Sequence, residues 1–215
     1  MALFYFVRHG ETEWNAKCRL CGRTDVPLSD VGRRQAQLLA ARLKPIPFEA
    51  LYTSPLRRAL ETANILGTAL GREPVTDPRL IELSYGAWEG RTSDEVKRAD
   101  PDVYRAWEND PATVAPPEGE SGEQLIERLK PFLTELAQRH PGGNAAVVCH
   151  RTVCRLLACH IMGVPLSQYR QRIPMDNAAL NIFETREGNW RVVVLNNSSH
   201  LAATLAAPAS VLQAE

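Results

Sequence analysis

Two histidines, two arginines and one glutamate stand at positions suited to handling a phosphoryl group. Arg8-His9-Gly10 directly follows the apolar run Leu3-Phe4-Tyr5-Phe6-Val7, and His150 directly follows Ala145-Ala146-Val147-Val148-Cys149. Each run reads as a buried strand, so each strand delivers an imidazole to its tip. In open α/β proteins ligands bind at the carboxyl ends of the strands. Gly10 permits a sharp turn there and a close approach of backbone N–H groups. Phosphoryl transfer without a metal needs a nucleophile, cations against the equatorial oxygens and a proton donor for the leaving group. A neutral nitrogen of His9 can accept the phosphoryl group as a phosphoramidate, which divides the reaction into two displacements. Arg8, Arg58 and His150 can surround the oxygens, and Glu82, between apolar neighbours in Leu80-Ile81-Glu82-Leu83, can act as the general acid. The helix expected from Thr152 puts further backbone N–H groups beside His150, a favourable setting for an anion.

The elements that must hold these residues alternate between strand and helix. After the strand at 3–8 and a polar loop through Gly22-Arg23-Thr24-Asp25, Ser29-Asp30 opens a helix. Its apolar positions Ala36, Leu39, Ala40 and Leu43 repeat at helical spacing, and Pro45 stops it. Leu51-Tyr52-Thr53 reads as a second strand. Ser54-Pro55 then predicts an N-cap with proline at the first helical position, and a helix to about Gly71. Residues 77–120 are less regular, with a short helix from the capping-box pattern Thr92-x-x-Glu95, and read as a lid or insertion. Ser121-x-x-Gln124 opens a long helix to about His140, kinked at Pro131. The strand 145–149 and a helix over 152–162 follow. Ala179–Glu184 and Arg191–Leu195, joined through Gly188-Asn189, form a hairpin at a sheet edge. The alternation predicts a three-layer α/β/α sandwich around a mostly parallel sheet. One domain over 1–200 and a loosely held tail over 201–215 are expected.

Composition excludes several classes. Lys+Arg and Asp+Glu balance at 25 each, so no basic field exists to hold nucleic acid or an anionic membrane. No apolar stretch approaches a membrane span. The N-terminal apolar run has no basic residues before it and is not a signal peptide, which makes a cytoplasmic protein the expectation. Five cysteines do not suit a disulfide framework. Cys18-x-x-Cys21 has half the spacing of a zinc knuckle but no second pair follows, and no metal or cofactor is expected.

Several separated motifs carry a resemblance. Arg8-His9-Gly10-Glu11-Thr12-x-Trp14-Asn15, Ser54-Pro55-x-Arg57-Arg58-Ala59-x-x-Thr62-Ala63, Glu82-x-x-x-Gly86-x-Trp88-Glu89-Gly90 and Gly119-Glu120-Ser121 occur in that order. With the strand ending at His150 and Arg155 five residues on, the chain resembles the histidine phosphatase superfamily, phosphoglycerate-mutase-like branch, over about residues 3–195. The resemblance implies that His9 is phosphorylated, that Arg8, Arg58 and His150 bind phosphate, that Asn15 helps hold it and that Glu82 is the acid/base. It also implies an α/β/α fold without a metal requirement and a small phosphorylated metabolite as substrate.

Mutases of that family look as though they carry Glu-Arg-His-Tyr-Gly, with cations for a second phosphate. Glu82-Leu83-Ser84-Tyr85-Gly86 lacks both basic residues, which favours a phosphomonoester hydrolase over a mutase. A phospho-ligand binder without turnover is disfavoured because no catalytic residue is missing. Glu89 is the rival to Glu82 as acid. Arg57 lies about 100° around the helix from Arg58 and is read as solvated or at the substrate rim. Arg91, Lys97, Arg98 and Arg105 in the lid segment are candidates to meet a substrate carboxylate. Where the family usually has glycine after its second histidine, this chain has Arg151. Arg151 is expected to point away from the site, the alternative being an added cation that reads the substrate. The hairpin offers an edge for a homodimer.

Overall fold

The computed structural model describes residues 1–186 and 188–202. The elements are β1 (Ala2–Arg8), α1 (Glu13–Ala16), α2 (Asp30–Leu43), β2 (Ala50–Thr53), α3 (Arg57–Leu70) and β3 (Pro74–Thr76). After them come α4 (Ser93–Ala99), α5 (Pro101–Asn109), α6 (Gly122–Arg139), β4 (Asn144–Cys149) and α7 (Arg151–Met162), then α8 (Tyr169–Arg172), β5 (Leu180–Arg186) and β6 (Asn189–Asn197). The sheet order is β3-β2-β4-β1-β5-β6. The first four strands run parallel, and β5 and β6 form the antiparallel hairpin at one edge.

Alternate residues of β1 feed opposite faces, which is why its run is apolar without a break. Phe4 and Phe6 pack with Leu129, Phe132, Val153 and Leu157 of α6 and α7. Tyr5 and Val7 pack with Leu39 and Leu43 of α2 and Leu66 of α3 on the other face. The expected α/β/α layering and mostly parallel sheet are therefore observed. A third cluster, Trp88, Val96, Tyr104 and Trp107, pins the 77–120 segment by aromatic packing.

Several local expectations change. Leu56, not Ser54, caps α3, and it makes no side-chain capping bond. Ser54 is needed elsewhere, by His150. Pro101 occupies the first turn of α5, a second helix within the less regular 77–120 segment. Strand β3 escaped notice because three residues, with Val75 exposed, show no periodicity. As expected, Pro131 lies inside α6, which runs on to Arg139. Leu201 is buried, and the rest of the expected tail, from residue 203, lies outside the described residues.

Candidate active site

Strands β1 and β4 are neighbours in register, with Arg8 opposite Cys149, so both histidines leave the sheet side by side. The His9 amide donates to the Cys149 carbonyl at 3.0 Å, and the two imidazole centroids are 5.2 Å apart. The turn after β1 is held down by bare backbone contact with α2. A Cβ on Gly10 would collide with the Gly32 carbonyl, and one on Gly32 with the Glu11 carbonyl.

A closed ring of hydrogen bonds orients His9. Its Nδ1–H donates to the Gly10 carbonyl at 2.6 Å, because a carbonyl oxygen can only accept. The Gly10 N–H donates to Thr62 Oγ1 at 3.1 Å, and the Thr62 hydroxyl donates to the Arg58 carbonyl at 2.8 Å. Arg58 Nε–H returns to His9 Nε2 at 3.2 Å. Both partners of the imidazole thus select the tautomer whose Nε2 carries a lone pair. Burial, followed by the charges of Arg58 and Arg8, holds His9 well below the usual histidine range. Burial and then Arg58 do the same to His150. Both rings are neutral at pH 7.

The donors around this nitrogen are buried and fixed. Arg58 is fully buried, its guanidinium also bonded to the Gly22 and Thr24 carbonyls at 2.6 and 2.9 Å. Arg8 donates from Nη1 to the Met175 carbonyl at 2.7 Å. Burial and the neighbouring Arg151 bring Arg8 down to about 9. His150 Nε2 lies 2.7 Å from Ser54 Oγ. Among the described residues, neither Arg8 Nε nor His150 Nδ1 has a hydrogen-bond partner, although both are buried. Buried polar atoms are rarely left so, which makes the space beside His9 a candidate anion site.

Glu82 is buried, with Oε1 accepting from Leu83 N at 2.8 Å and Oε2 from Thr152 N at 3.1 Å. The Thr152 amide therefore serves Glu82 rather than the anion site expected for it. Arg128 of α6 fixes the loop that presents Glu82. It donates to the carbonyls of Arg79, Ile81 and Glu82 and forms a two-bond fork with Glu120 at 2.8 and 3.0 Å. Arg128 was missed from sequence, although a cation three residues after Leu125 and four before Phe132 interrupts the apolar stripe of its helix.

Glu89 clasps two loops together: its carboxylate accepts from Arg23 N, Thr24 N, Thr24 Oγ1 and Tyr85 N. Asn15 lines the cleft, but its Oδ1 already accepts from Thr12 N and from Asn177 Nδ2, both at 3.1 Å. Arg57 is exposed and pairs with Glu61.

A cleft of about 1210 Å³ opens over Arg8 and Asn15. Its cationic wall differs from expectation. Arg91, Lys97, Arg98 and Arg105 are absent from its lining, and Arg91 and Arg105 face Asp100 and Asp102 instead. Arg19, Arg34, Arg151, Arg155 and Arg170 line it. Arg151 thus faces the cleft, contrary to the expectation that it points away. As the first residue of α7, immediately after the strand-end histidine, it is held at the cleft's edge by the helix start itself.

The sequence pattern of the histidine phosphatase superfamily, branch 1, matches residues 4–198. The chain belongs to this superfamily. Phosphoserine phosphatase 1 of Hydrogenobacter thermophilus is 34% identical over 94% of this chain and 95% of its own length. Phosphoglycerate mutase-like protein 4 of Arabidopsis thaliana is 36% identical over 92% of this chain and 86% of its own. A solved mycobacterial glucosyl-3-phosphoglycerate phosphatase, in complex with vanadate, superposes with a TM-score of 0.83 at 30% identity, over 90% of this chain and 98% of that one. The motif residues His9, Gly10, Arg58 and Thr62 share one ring of hydrogen bonds. No helix among the described residues is long and apolar enough to cross a membrane.

Proposed function

We propose that this histidine phosphatase hydrolyses a small phosphorylated metabolite through phospho-His9. In the first displacement the Nε2 lone pair of His9 attacks phosphorus, and the P–O bond to the leaving group breaks. The departing oxygen takes the proton of the Glu82 carboxyl. In the second, water attacks phospho-His9, gives a proton to Glu82, and releases orthophosphate with His9 neutral again. Arg8 and Arg58 neutralise the equatorial oxygens and the neutral His150 offers them a hydrogen bond, with Arg58 transferring its Nε–H from His9 to the phosphate. Asn15 borders the same oxygens.

The observation that carries this reading is the tautomer of His9, whose unprotonated Nε2 accepts from the buried Arg58, while Arg8 Nε and His150 Nδ1 of the adjacent strand ends are buried without a partner among the described residues. A low-dielectric site with preset donors stabilises charge that develops in the transition state. The reading also accounts for substrate size: the two phosphatases matched above are named for phosphoserine and for glucosyl-3-phosphoglycerate, both small phosphomonoesters. A mutase needs cations after Glu82, whereas Leu83 is wholly buried in the core and Ser84 Oγ accepts from Gly86 N.

Phosphate release from p-nitrophenyl phosphate in excess EDTA, wild type beside His9→Ala, tests the proposal. Turnover in the wild type that disappears in the variant is the expected result, with an acid-labile phosphoprotein trapped by rapid quench. Turnover that survives in His9→Ala, or that EDTA abolishes, overturns it.

A further inference from the structure

Beyond the atoms that surround His9, the cleft holds a second set of unsatisfied donors. Arg155 Nε and the Tyr169 hydroxyl are buried without a hydrogen-bond partner among the described residues, and both residues line the cleft. Tyr169 is only 1% exposed. Arg151, one helical turn before Arg155 on α7, lines the same wall. Neither arginine has a carboxylate partner among the described residues. Residues four apart on a helix share a face, with about 5–6 Å between their Cβ atoms. Two guanidinium groups therefore stand together beside the His150 end of α7.

We infer that the substrate of this histidine phosphatase carries a carboxylate besides its phosphate, and that Arg151 and Arg155, with the Tyr169 hydroxyl, hold it. The inference rests on the phosphatase reading and deepens it. The like charges are mutually unfavourable as they stand: Arg151 is the largest charge opposing both Arg8 and Arg155, after burial, and Arg155 comes down to about 10. An anion between them removes that repulsion. Arg170, also in the lining, stacks on Trp107, 4.2 Å from its ring centroid. The planar forks of Arg151 and Arg155 match a carboxylate in shape and charge. One helical turn from the phosphate position is a separation that a three-carbon skeleton spans. The Arg151 side chain thus becomes a specificity determinant.

The test compares 3-phosphoglycerate with glycerol 3-phosphate, which differ at the carboxylate. The wild type is expected to prefer 3-phosphoglycerate in kcat/KM by about 10- to 100-fold, the worth of one charge-assisted contact. Arg151→Ala and Arg155→Ala should each collapse that ratio, through a higher KM for 3-phosphoglycerate, and Arg151→Lys should restore part of it. A merely structural role would lower kcat on both substrates and leave the ratio intact. A ratio near one in the wild type, or one unchanged in both alanine variants, overturns the inference. If no phosphomonoester is turned over, the phosphatase reading fails. The subsite is then judged by calorimetric binding of the same two compounds to wild type and Arg151→Ala, with equal affinities refuting it.

Discussion

Thr62→Val cuts the hydrogen-bonded ring behind His9 at one atom and changes little else. Thr62 is fully buried in α3, and its Oγ1 is the acceptor for the Gly10 N–H. Valine keeps the β-branched shape, so no cavity opens, but the Gly10 N–H is left buried without an acceptor. Such an orphan costs about 1–3 kcal/mol. The hydroxyl's other bond, to the Arg58 carbonyl, is a back-bond within the helix and adds little. For a domain near 200 residues each kcal/mol shifts Tm by about 2–4 °C, so a fall of about 2–12 °C is expected by differential scanning calorimetry. The Gly10 peptide also carries the carbonyl that fixes His9 Nδ1–H. Loosening it should lower kcat by about tenfold, equivalent to about 1.4 kcal/mol, with KM nearly unchanged. Thr62→Ser, which keeps the hydroxyl, should recover most of both. A Tm within about 1 °C of wild type together with an unaltered kcat would refute the ring as the device that orients the nucleophile.

Glu82→Gln should reduce kcat by about 10²–10⁴ on an alkyl phosphate, which needs a protonated leaving group, and far less on p-nitrophenyl phosphate; equal losses on the two would deny Glu82 the acid role. Arg128→Ala takes the donor from the Arg79 and Ile81 carbonyls and leaves Glu120 and the Glu82 carbonyl with Arg23 alone, so about 2–6 kcal/mol of stability should be lost in urea titration, whereas a loss under about 1 kcal/mol would show that the loop bearing Glu82 is held by other contacts. Because burial keeps His9 and His150 neutral in the fold while each titrates near 6.5 when unfolded, the unfolded chain binds more protons below that pH. Their contribution is complete above about pH 6.5 and is lost as pH falls toward the folded values, at about 1.4 kcal/mol per pH unit for each. Urea midpoints at pH 7, 6 and 5 should therefore fall steadily and steepen relative to a His9→Gln variant; parallel curves would contradict the neutral assignment.

The strand-end residues were legible because a parallel sheet forces its chemistry to the strand tips, and an apolar run ending in Arg8-His9 or in His150 announces such a tip. The three-layer fold followed from periods of two and 3.6 in segments long enough to show them. What escaped was set by tertiary partners. Ser54 reads as a helix cap until His150 is placed 2.7 Å away, and then the cap moves to Leu56. Arg151 reads as an intruder at a glycine position until the start of α7 is seen to turn it into the cleft. Glu89 and Glu82 are indistinguishable as letters; only the donors that meet them tell them apart, three amides and a hydroxyl closing on Glu89 and two amides on Glu82. The lid cations misled for the same reason, since Asp100 and Asp102 draw Arg91 and Arg105 aside.

The pairing of β1 with β4 divides the molecule in its capacity to change. His9 and His150 are anchored by adjacent central strands, each paired on both sides, so opening that corner requires breaking the middle of the sheet. Hydrogen exchange there should proceed only with global unfolding. The groups that meet the rest of the substrate hang instead from helix starts and loops, at Asn15, Arg151, Arg155 and Tyr169, where an exchange of side chain disturbs no ladder. Such a molecule can be given a new substrate one residue at a time while its reaction stays the same. It also sets a direction for redesign: selectivity is open to substitution from the rim, and catalysis is closed to it from below.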